Sequence, residues 1–565
     1  MVEHQEPQPS SRPDGSSNRD DEISIQSSPR GYDTMKTTAA SLSPPPEGIC
    51  HKDSEKHLSA RHAFAILVNL QIGSGIFASP AQVDTNVPSP GAALLVWLVG
   101  GLLSWAGAAS YAEFGAALPL NGGTQEYLRY VYGDIAAFLM AWIYIFAVKP
   151  SSMAIQCIVL VDSATSAIAS ADGTTLASWQ LKLLAITAQA SLVLLNSIST
   201  KTTMRLSESF TLFKIATVIM IFLGGIWVLI AHMIDPNSSL GGNTDWYSKN
   251  WFHSRPSMSD GVPIEWTNMG SWELLGHYSA AIYAGLWAYD GWDNANFVAS
   301  EIRNPGRSLP LAIHTAMAVV LGCFELVNIA YYILVPWKLI GSSSAVAVMA
   351  AKSLLGYFAG VAISILVAIS CAGAVTSNLL AFGRLTVAAS QRGYLPKVFG
   401  IIGFPSWISW PNRRAHSEGN APQNSYSNES QPLIAEDSDE DVANIVGEND
   451  TAPTPDTESD VPINAMLLNL SLTTIYIATG SFRILLTFVG MAMWIFYVST
   501  AVALIILRFR EPGLRRPYRP PLVIPIIFSC VGTAVIIRSA MFAPLPAAAI
   551  AGLLVAGSLV GRLRS

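Results

Sequence analysis

The chain has 565 residues, of which 51% are hydrophobic and only 13% are charged, and its mean hydropathy is +0.38. These values exclude an ordinary soluble protein, because apolar stretches of the roughly 20 residues that cross a bilayer recur along most of the chain. The net charge of -6 comes largely from acidic residues in two polar segments, and no basic surface indicates a nucleic-acid partner.

The first polar segment, residues 1–60, is rich in Ser, Pro and charged residues, and includes a Ser-Pro-Pro-Pro run at 43–46. It cannot bury enough apolar surface to fold alone, so we expect a disordered cytoplasmic tail. It also lacks the short apolar core of a secretory signal, which leaves membrane insertion to the first span. The second segment, residues 401–460, carries an acidic run at 436–441 and is predicted to be a disordered acidic cytoplasmic loop.

The apolar stretches predict an all-α polytopic membrane protein with twelve spans, eight within residues 61–400 and four within 461–565. The spans are placed at about 63–83, 91–118, 134–166, 179–198, 208–232, 273–300, 309–336, 355–390, 462–479, 484–508, 521–540 and 543–561. Basic residues concentrate in alternate connections, so the positive-inside rule makes both termini cytoplasmic. We expect a multi-pass protein, most simply of the plasma membrane, with a possible glycan site at Asn237 in an outer loop.

The cysteines and histidines predict no chemistry of their own. Cys157, Cys323, Cys371 and Cys530 lie in apolar stretches and Cys50 lies in the tail, so no structural disulfide is expected. The sequence has no metal-binding His-Glu-x-x-His motif and no catalytic constellation, and it also has no repeated selectivity filter. We therefore expect neither an enzyme nor a channel, and no metal or cofactor.

The first span contains Gln71, Ile72, Gly73, Ser74 and Gly75, which place two glycines and a serine at membrane depth. Glycine weakens a helix, and backbone groups that leave the helix are tolerated in a membrane only where they line a wet cavity or meet a partner. The alternative is a small-residue face for close helix packing, and this motif alone does not decide between them.

The sixth span favours the interpretation as a broken helix, because residues 285–293 interrupt it with glycines and with two carboxylates, Asp290 and Asp293. Breaks in corresponding members of two inverted five-helix repeats indicate a transporter site near the membrane midplane. A helix N-terminus there can bind a carboxylate, and unwound carbonyls can accept from an ammonium, which together fit an amino acid.

Five motifs carry a resemblance to the L-type branch of the amino acid, polyamine and organocation transporters, with a long tail and insertion of the fungal type. They are residues 72–77 (Ile-Gly-Ser-Gly-Ile-Phe), 110–113 (Ser-Tyr-Ala-Glu), 285–292 (Gly-Leu-Trp-Ala-Tyr-Asp-Gly-Trp), 304–313 and 507–512 (Leu-Arg-Phe-Arg-Glu-Pro). The likeness covers about 63–400 and 462–540. It implies amino acid transport by alternating access.

The resemblance also implies roles for single residues. Ser74 and Gly75 would supply N–H groups to the substrate carboxylate, and the carbonyls of Gln71, Trp287 and Asp290 would accept from its ammonium. Trp287 matches the aromatic gate of the family. The substrate-binding set is therefore predicted to comprise Gln71, Ile72, Gly73, Ser74, Gly75, Trp287, Asp290 and Asp293.

Charged residues within apolar spans are expensive and indicate function by default. Lys214 of the fifth span matches the position where the family places a fixed ammonium instead of a sodium ion, which implies sodium independence. A neutral Lys214 could instead carry a proton, so proton symport stays open. Lys149 and Glu325 could equally form buried pairs that only fix helix geometry. Glu113 is expected to anchor a loop at an inner helix end.

Asp290 bears on specificity, since the octapeptide 285–292 takes this form in the branch that accepts basic as well as neutral amino acids. A carboxylate here could pair with a basic side chain, or it could cap the inner half of the sixth helix. We expect neutral substrates to be favoured and basic ones also to be accepted.

The partners predicted are an amino acid and the lipid bilayer. Animal members of the family bond a heavy chain through a cysteine between the third and fourth spans, but residues 166–178 contain no cysteine, so no disulfide-linked heavy chain is expected. Trafficking machinery could read the tails through Lys36, Lys52 or Lys56. An amino acid sensor with the same fold and little or no transport is the alternative function.

Overall fold

A computed structural model describes residues 59–120, 122–172, 176–198, 200–236, 243–259, 262–342, 345–402 and 461–564. Nearly all of the predicted tail and acidic loop and the sequon at Asn237 lie outside these residues. The division of the chain into tail, loop and two groups of spans therefore stays a prediction at those segments.

Most of the described residues are helical. The α-helices are α1 (Ala60–Gln71), α2 (Gly75–Thr85), α3 (Pro90–Ala117), α4 (Thr124–Tyr132), α5 (Asp134–Ile143), α6 (Lys149–Asp172), α7 (Ser178–Ile198), α8 (Thr200–Ile234), α9 (Asp245–Ser248), α10 (Ser271–Ala288), α11 (Pro305–Leu334), α12 (Trp337–Ile340), α13 (Val346–Leu355), α14 (Tyr357–Gln391), α15 (Ile463–Thr479), α16 (Phe482–Arg510), α17 (Val523–Phe542) and α18 (Pro544–Arg564). A π-helical segment (Tyr144–Val148) joins α5 to α6, and 3₁₀ helices cover Asn294–Glu301 and Lys397–Gly400. Two short antiparallel strands, β1 (Ser257–Ser259) and β2 (Val262–Ile264), pair Met258 with Pro263.

Each of the twelve predicted spans overlaps one or more of these helices. Within the described residues, nine helices are long and apolar enough to cross a membrane, and the bent pair α1 and α2 makes ten. The other two predicted spans correspond to α10 and to α15, which has 17 residues. The expectation of a polytopic all-α protein is confirmed.

The helices pack through small residues and turn large apolar ones outward, as spans in lipid do. In α3, Leu95 and Leu102 are 52% and 50% exposed, whereas the glycines between them are buried or face neighbouring helices. A Cβ on Gly101 would lie 2.2 Å from the Cδ1 of Leu321 in α11 and 2.8 Å from the ring of Tyr289, so a larger residue would require these side chains to move. Side-chain size therefore decides which face of α3 meets the bundle.

Buried ion pairs fasten the bundle at both ends. At the predicted cytoplasmic end, Arg508 of α16 donates to both carboxylate oxygens of Glu113 in α3, through Nε at 3.0 Å and through its second nitrogen, and also to the carbonyl of Pro520 at 2.7 Å. At the opposite end, Asp84 of α2 pairs with Arg255 of the long outer connection. Glu113 thus fixes α3 to α16 and to the turn that follows it, as an anchor would.

Candidate functional site

The first break separates α1 from α2 by three residues and bends the span by 47°. Ile72 still donates to the carbonyl of Val68 at 2.9 Å, but the N–H of Gly73 turns back to the carbonyl of Gln71 at 2.8 Å and ends the helix. α2 then begins at Gly75 with Ser74 as its N-cap. The first N–H groups of a helix have no intrahelical acceptor, so this break presents backbone donors.

The second break begins where α10 ends at Ala288, and the chain turns through residues 289–293 before the 3₁₀ helix starts at Asn294. Gly291 has a φ of +113°, a conformation that side chains other than glycine rarely adopt. A Cβ there would also lie 3.2 Å from the Cβ of Leu70 at the end of α1. Gly291 therefore lets this turn pack directly against the first break.

Gly75 makes the reciprocal contact. A Cβ at this position would lie 2.6 Å from the Cα of Ala288, so α2 starts in direct backbone contact with the end of α10. Close helix packing and a break in the helix were the two interpretations of this motif, and both apply at Gly75. This glycine brings α2 against α10, and it is also the first residue of α2 after the break. The Cα of Gly75 faces Ala288, and any role in binding belongs to its N–H group.

A polar cavity lies between the two breaks. Six of the predicted site residues line it, namely Gln71, Gly73, Ser74, Gly75, Trp287 and Asp290. Ile72 instead packs into the hydrophobic core, and Asp293 lies buried outside the lining, where it accepts a hydrogen bond from Asn294 Nδ2 at 3.1 Å. The structure thus brings six of the eight residues together and leaves two beside the cavity.

Gln71 contributes polar atoms as well as its carbonyl. Its side chain is 1% exposed, and neither amide atom has a hydrogen-bond partner among the described residues. A buried primary amide without a partner costs on the order of 1–3 kcal/mol, which a ligand in the cavity would relieve.

Lys214 also reaches the cavity, from α8, and its side chain is buried. Its Nζ lies 3.4 Å from the carbonyl oxygen of Asn69 and 3.4 Å from the Oδ1 of the same residue, just before the first break. An ammonium beside a carbonyl and an amide oxygen occupies the type of oxygen-lined position that a metal cation prefers.

Lys149 provides a second positive charge in the cavity. The sequence alone did not decide whether this residue has a functional role or only forms a buried ion pair. Pro150 has no N–H to offer the carbonyl of Phe146, and the chain takes up a π-helical turn just before Lys149. The Phe146 carbonyl accepts instead from the Tyr476 hydroxyl at 2.9 Å. Lys149 Nζ donates to Asn378 Oδ1 at 3.2 Å and lines the cavity. The Lys-Pro pair within an apolar span is the sequence feature that could have indicated this position of Lys149.

Asp290 faces the cavity, and one of its carboxylate oxygens accepts from the Tyr497 hydroxyl of α16 at 2.7 Å. Tyr497 is held in place by Trp292, whose ring centroid lies 4.5 Å away. The carboxylate is therefore tied to a neighbouring span. This contact belongs to neither of the two predicted roles and leaves both as predictions.

Trp287 lines the cavity and packs edge-on against Phe482 at the start of α16, with 6.2 Å between ring centroids. An aromatic side chain at this point covers one side of the cavity. Its action as a gate stays a prediction.

Within the described residues, a bundle of apolar helices with two breaks around a polar cavity is the arrangement of a secondary transporter. The sequence model of the amino acid permease family matches residues 58–552. The chain therefore belongs to the amino acid permease family, and this membership makes it an amino acid transporter. The family predicted from the five motifs is confirmed.

Curated proteins show the same relationship over most of their length. The chain is 29% identical over 490 residues to the b(0,+)-type amino acid transporter 1 of Homo sapiens, which covers 87% of this chain and 84% of that protein. It is 29% identical over 475 residues to the cystine/glutamate transporter of Homo sapiens, with coverages of 82% and 76%. It is also 27% identical over 480 residues to the large neutral amino acids transporter small subunit 2 of Mus musculus, with coverages of 84% and 74%.

Proposed function

We propose that this protein is a sodium-independent transporter that favours neutral amino acids, also accepts basic ones, and works by alternating access around the two breaks. The observation that carries the proposal is the position of Lys214 at the carbonyl of Asn69. A fixed ammonium there removes the need for a sodium ion at the end of α1.

The two breaks offer complementary groups to the ends common to all amino acids. N–H groups at Ser74 and Gly75 suit the carboxylate, because the dipole of α2 adds positive potential at its N-terminus. Carbonyl groups at the ends of α1 and α10, with the unpartnered amide of Gln71, suit the ammonium. Ile72 and Asp293 lie outside the cavity lining and would act indirectly, by fixing the backbone of each break.

Asp290 supports acceptance of basic substrates, since it is the carboxylate of the predicted set that lines the cavity. Lys149 lines the same cavity and moderates that negative charge. A side chain that brings its own cation gains a charge-assisted hydrogen bond, whereas a neutral side chain relies on the aromatic and aliphatic lining. The relatives named for b(0,+)-type and large neutral amino acid transport support this breadth.

We place both termini on the cytoplasmic side, because basic residues concentrate in alternate connections. The plasma membrane is the location proposed for the protein. It would work without a disulfide-linked heavy chain, since residues 166–178 contain no cysteine. A chain expressed alone that reaches the surface and transports would support this, and dependence on a co-expressed partner would refute it.

Uptake of labelled leucine and lysine by the purified full chain in lipid vesicles tests the proposal. Uptake should persist when sodium is replaced by choline at fixed pH, and a loss of more than tenfold would show that Lys214 does not replace the ion. Repeating the assay with an imposed proton gradient separates proton symport from exchange. Substrate binding without uptake would favour the sensor.

A further inference from the structure

A histidine joins three elements at the predicted cytoplasmic end of the bundle. His314 lies in the first half of α11 and is half-buried between α3 and the inner connection, residues 511–522, which links α16 to α17. The inner connection packs along the start of α11, since a Cβ on Gly306 would lie 2.8 Å from Pro517. His314 therefore has neighbours on two elements besides its own.

Both ring nitrogens of His314 make hydrogen bonds. Trp105 Nε1 of α3 donates to His314 Nδ1 at 2.8 Å, and His314 Nε2 lies 2.6 Å from the hydroxyl oxygen of Tyr518 in the inner connection. An indole N–H can only donate, so Nδ1 must accept and carries no proton. The imidazole then has its N–H at Nε2, which donates to Tyr518. The bond to Trp105 therefore requires a neutral histidine.

Protonation of His314 would break one of these two bonds. In a protonated imidazole both nitrogens are donors, so the N–H of Trp105 would face a second N–H and lose its acceptor. Histidine is the side chain whose charge ordinarily changes between about pH 5 and 8. The bond to Trp105 is therefore present where the imidazole is neutral, and it is lost as the cytoplasmic pH falls.

The groups that face the imidazole carry no charge at neutral pH. Trp105 faces it from α3, and the hydroxyl of Tyr518 faces it from the inner connection. Beyond them, Glu113 and Arg508 interact electrostatically with Tyr518, but they are bonded to each other. A protonated His314 would therefore gain no ion pair from the groups that face it to offset the lost bond.

Trp105, His314 and Tyr518 form an inner joint that connects the helices around the breaks to α16. α3 packs against α10 and α11 packs against α1, so each holds a span that ends at a break. The inner connection is held to the end of α16 by Arg516, which donates to the carbonyl of Leu507 at 3.0 Å. α16 also lines the central cavity. Alternating access moves one group of helices against another, and the inner joint lies between two such groups.

We propose that His314 is a pH-sensing residue through which acidification of the cytoplasm slows transport. Neutral His314 holds α3, α11 and the inner connection together, whereas protonated His314 releases Trp105 and weakens the inner joint. His314 is a positioning residue and touches no substrate. This inference rests on the proposed function, because transport is the property that the inner joint regulates.

The test measures leucine uptake into right-side-out membrane vesicles loaded at about pH 7.5 or about pH 5.5, with the external pH held constant. Wild-type uptake should be about two- to tenfold slower at the acidic internal pH, the range that one hydrogen bond is worth. His314→Gln should abolish this difference, because its amide can accept from Trp105 and donate to Tyr518 but does not titrate. His277→Gln is the matched control. His277 bonds to Asn86 at the predicted outer end, so this variant should keep the wild-type response.

Trp105→Phe separates pH sensing from proton transport. It removes the donor whose acceptor is lost on protonation, so uptake at the neutral internal pH should fall towards the wild-type acidic value and no longer respond to internal pH. A response that survives in both His314→Gln and Trp105→Phe would come from transported protons or another group and would overturn the proposal. A wild type without a response would overturn it as well.

The melting temperature of the purified full chain gives a readout that does not need transport. Between the two pH values it should fall more in the wild type than in His314→Gln, and equal falls would overturn the inner joint as a proton-sensitive element. The expected difference in melting temperature without any leucine uptake would support the inner joint and count against the proposed function.

Discussion

The two breaks are built from different chemistry, although both interrupt a span at the same cavity. The first, at residues 72–74, offers backbone groups and has no charged side chain. The second, at residues 289–293, brings two aromatic rings and two carboxylates, of which that of Asp290 lines the cavity. The first therefore suits the carboxylate and ammonium that all amino acids share, whereas the second suits the side chain that distinguishes them. Changes in the first break, or in the backbone turn of the second, should affect every substrate, whereas a change to the Asp290 carboxylate of the second break should affect some substrates more than others.

The largest effect is expected from Gly75→Val. The added Cβ would lie 2.6 Å from the Cα of Ala288, so α2 and α10 must separate at the point where the breaks meet. Uptake of neutral and basic substrates should fall together, by more than a hundredfold, when normalised to surface amount. Retained uptake by a well-expressed Gly75→Val protein would separate the first break from the site.

Gly291→Ala should come next. The backbone at φ +113° costs a residue with a Cβ on the order of 1–3 kcal/mol, and the methyl group would press on Leu70. This is a factor of roughly five to a hundred in the working conformation. Uptake of leucine and lysine measured side by side should fall about equally. A loss confined to lysine would mean that the turn acts only through Asp290.

Asp290→Asn distinguishes the second break from the first. The loss of a charge-assisted hydrogen bond is worth about 1.5–3 kcal/mol, or roughly ten- to a hundredfold in affinity, and only basic substrates should suffer it. Competition of lysine, arginine, leucine and methionine against labelled leucine would measure the difference. Equal losses for all four would indicate that Asp290 caps a helix and does not select substrates.

The sequence predicted the positions of the long apolar helices in the described residues because span length and apolar content are local properties. It also predicted both breaks, because glycines with a serine in the first span and with two carboxylates in the sixth fall at corresponding positions of two five-helix repeats. It did not predict that Lys149 enters the cavity, because this depends on a π-helical turn before Pro150. Nor could it show that Asp293 lies outside the lining, since the direction of each side chain is set by the turn at Gly291.

Tyr497→Phe should produce a smaller change in the same direction as Asp290→Asn. The variant removes the donor 2.7 Å from the Asp290 carboxylate, so the half-saturating lysine concentration should rise about two- to tenfold with little change for leucine. In the Asp290→Asn background the same substitution should have no further effect on lysine. Tighter lysine binding by Tyr497→Phe would show that the tyrosine competes with the substrate.

The smallest effect is expected from Gly285→Ala, which tests whether every glycine near a break is needed. A Cβ on Gly285 would meet no atom within 4 Å, and the residue lies inside α10 and outside the cavity lining. Replacing glycine by alanine within a helix stabilises it by about 1 kcal/mol. Uptake should therefore stay within about twofold of the wild type, and the melting temperature should not fall. Gly75→Ala is the matched comparison, because the same methyl group there would meet the backbone of Ala288. If the two alanine variants lost uptake equally, the flexibility of glycine throughout both spans would matter, and the direct contact between Gly75 and Ala288 would not be the source of the first break's sensitivity.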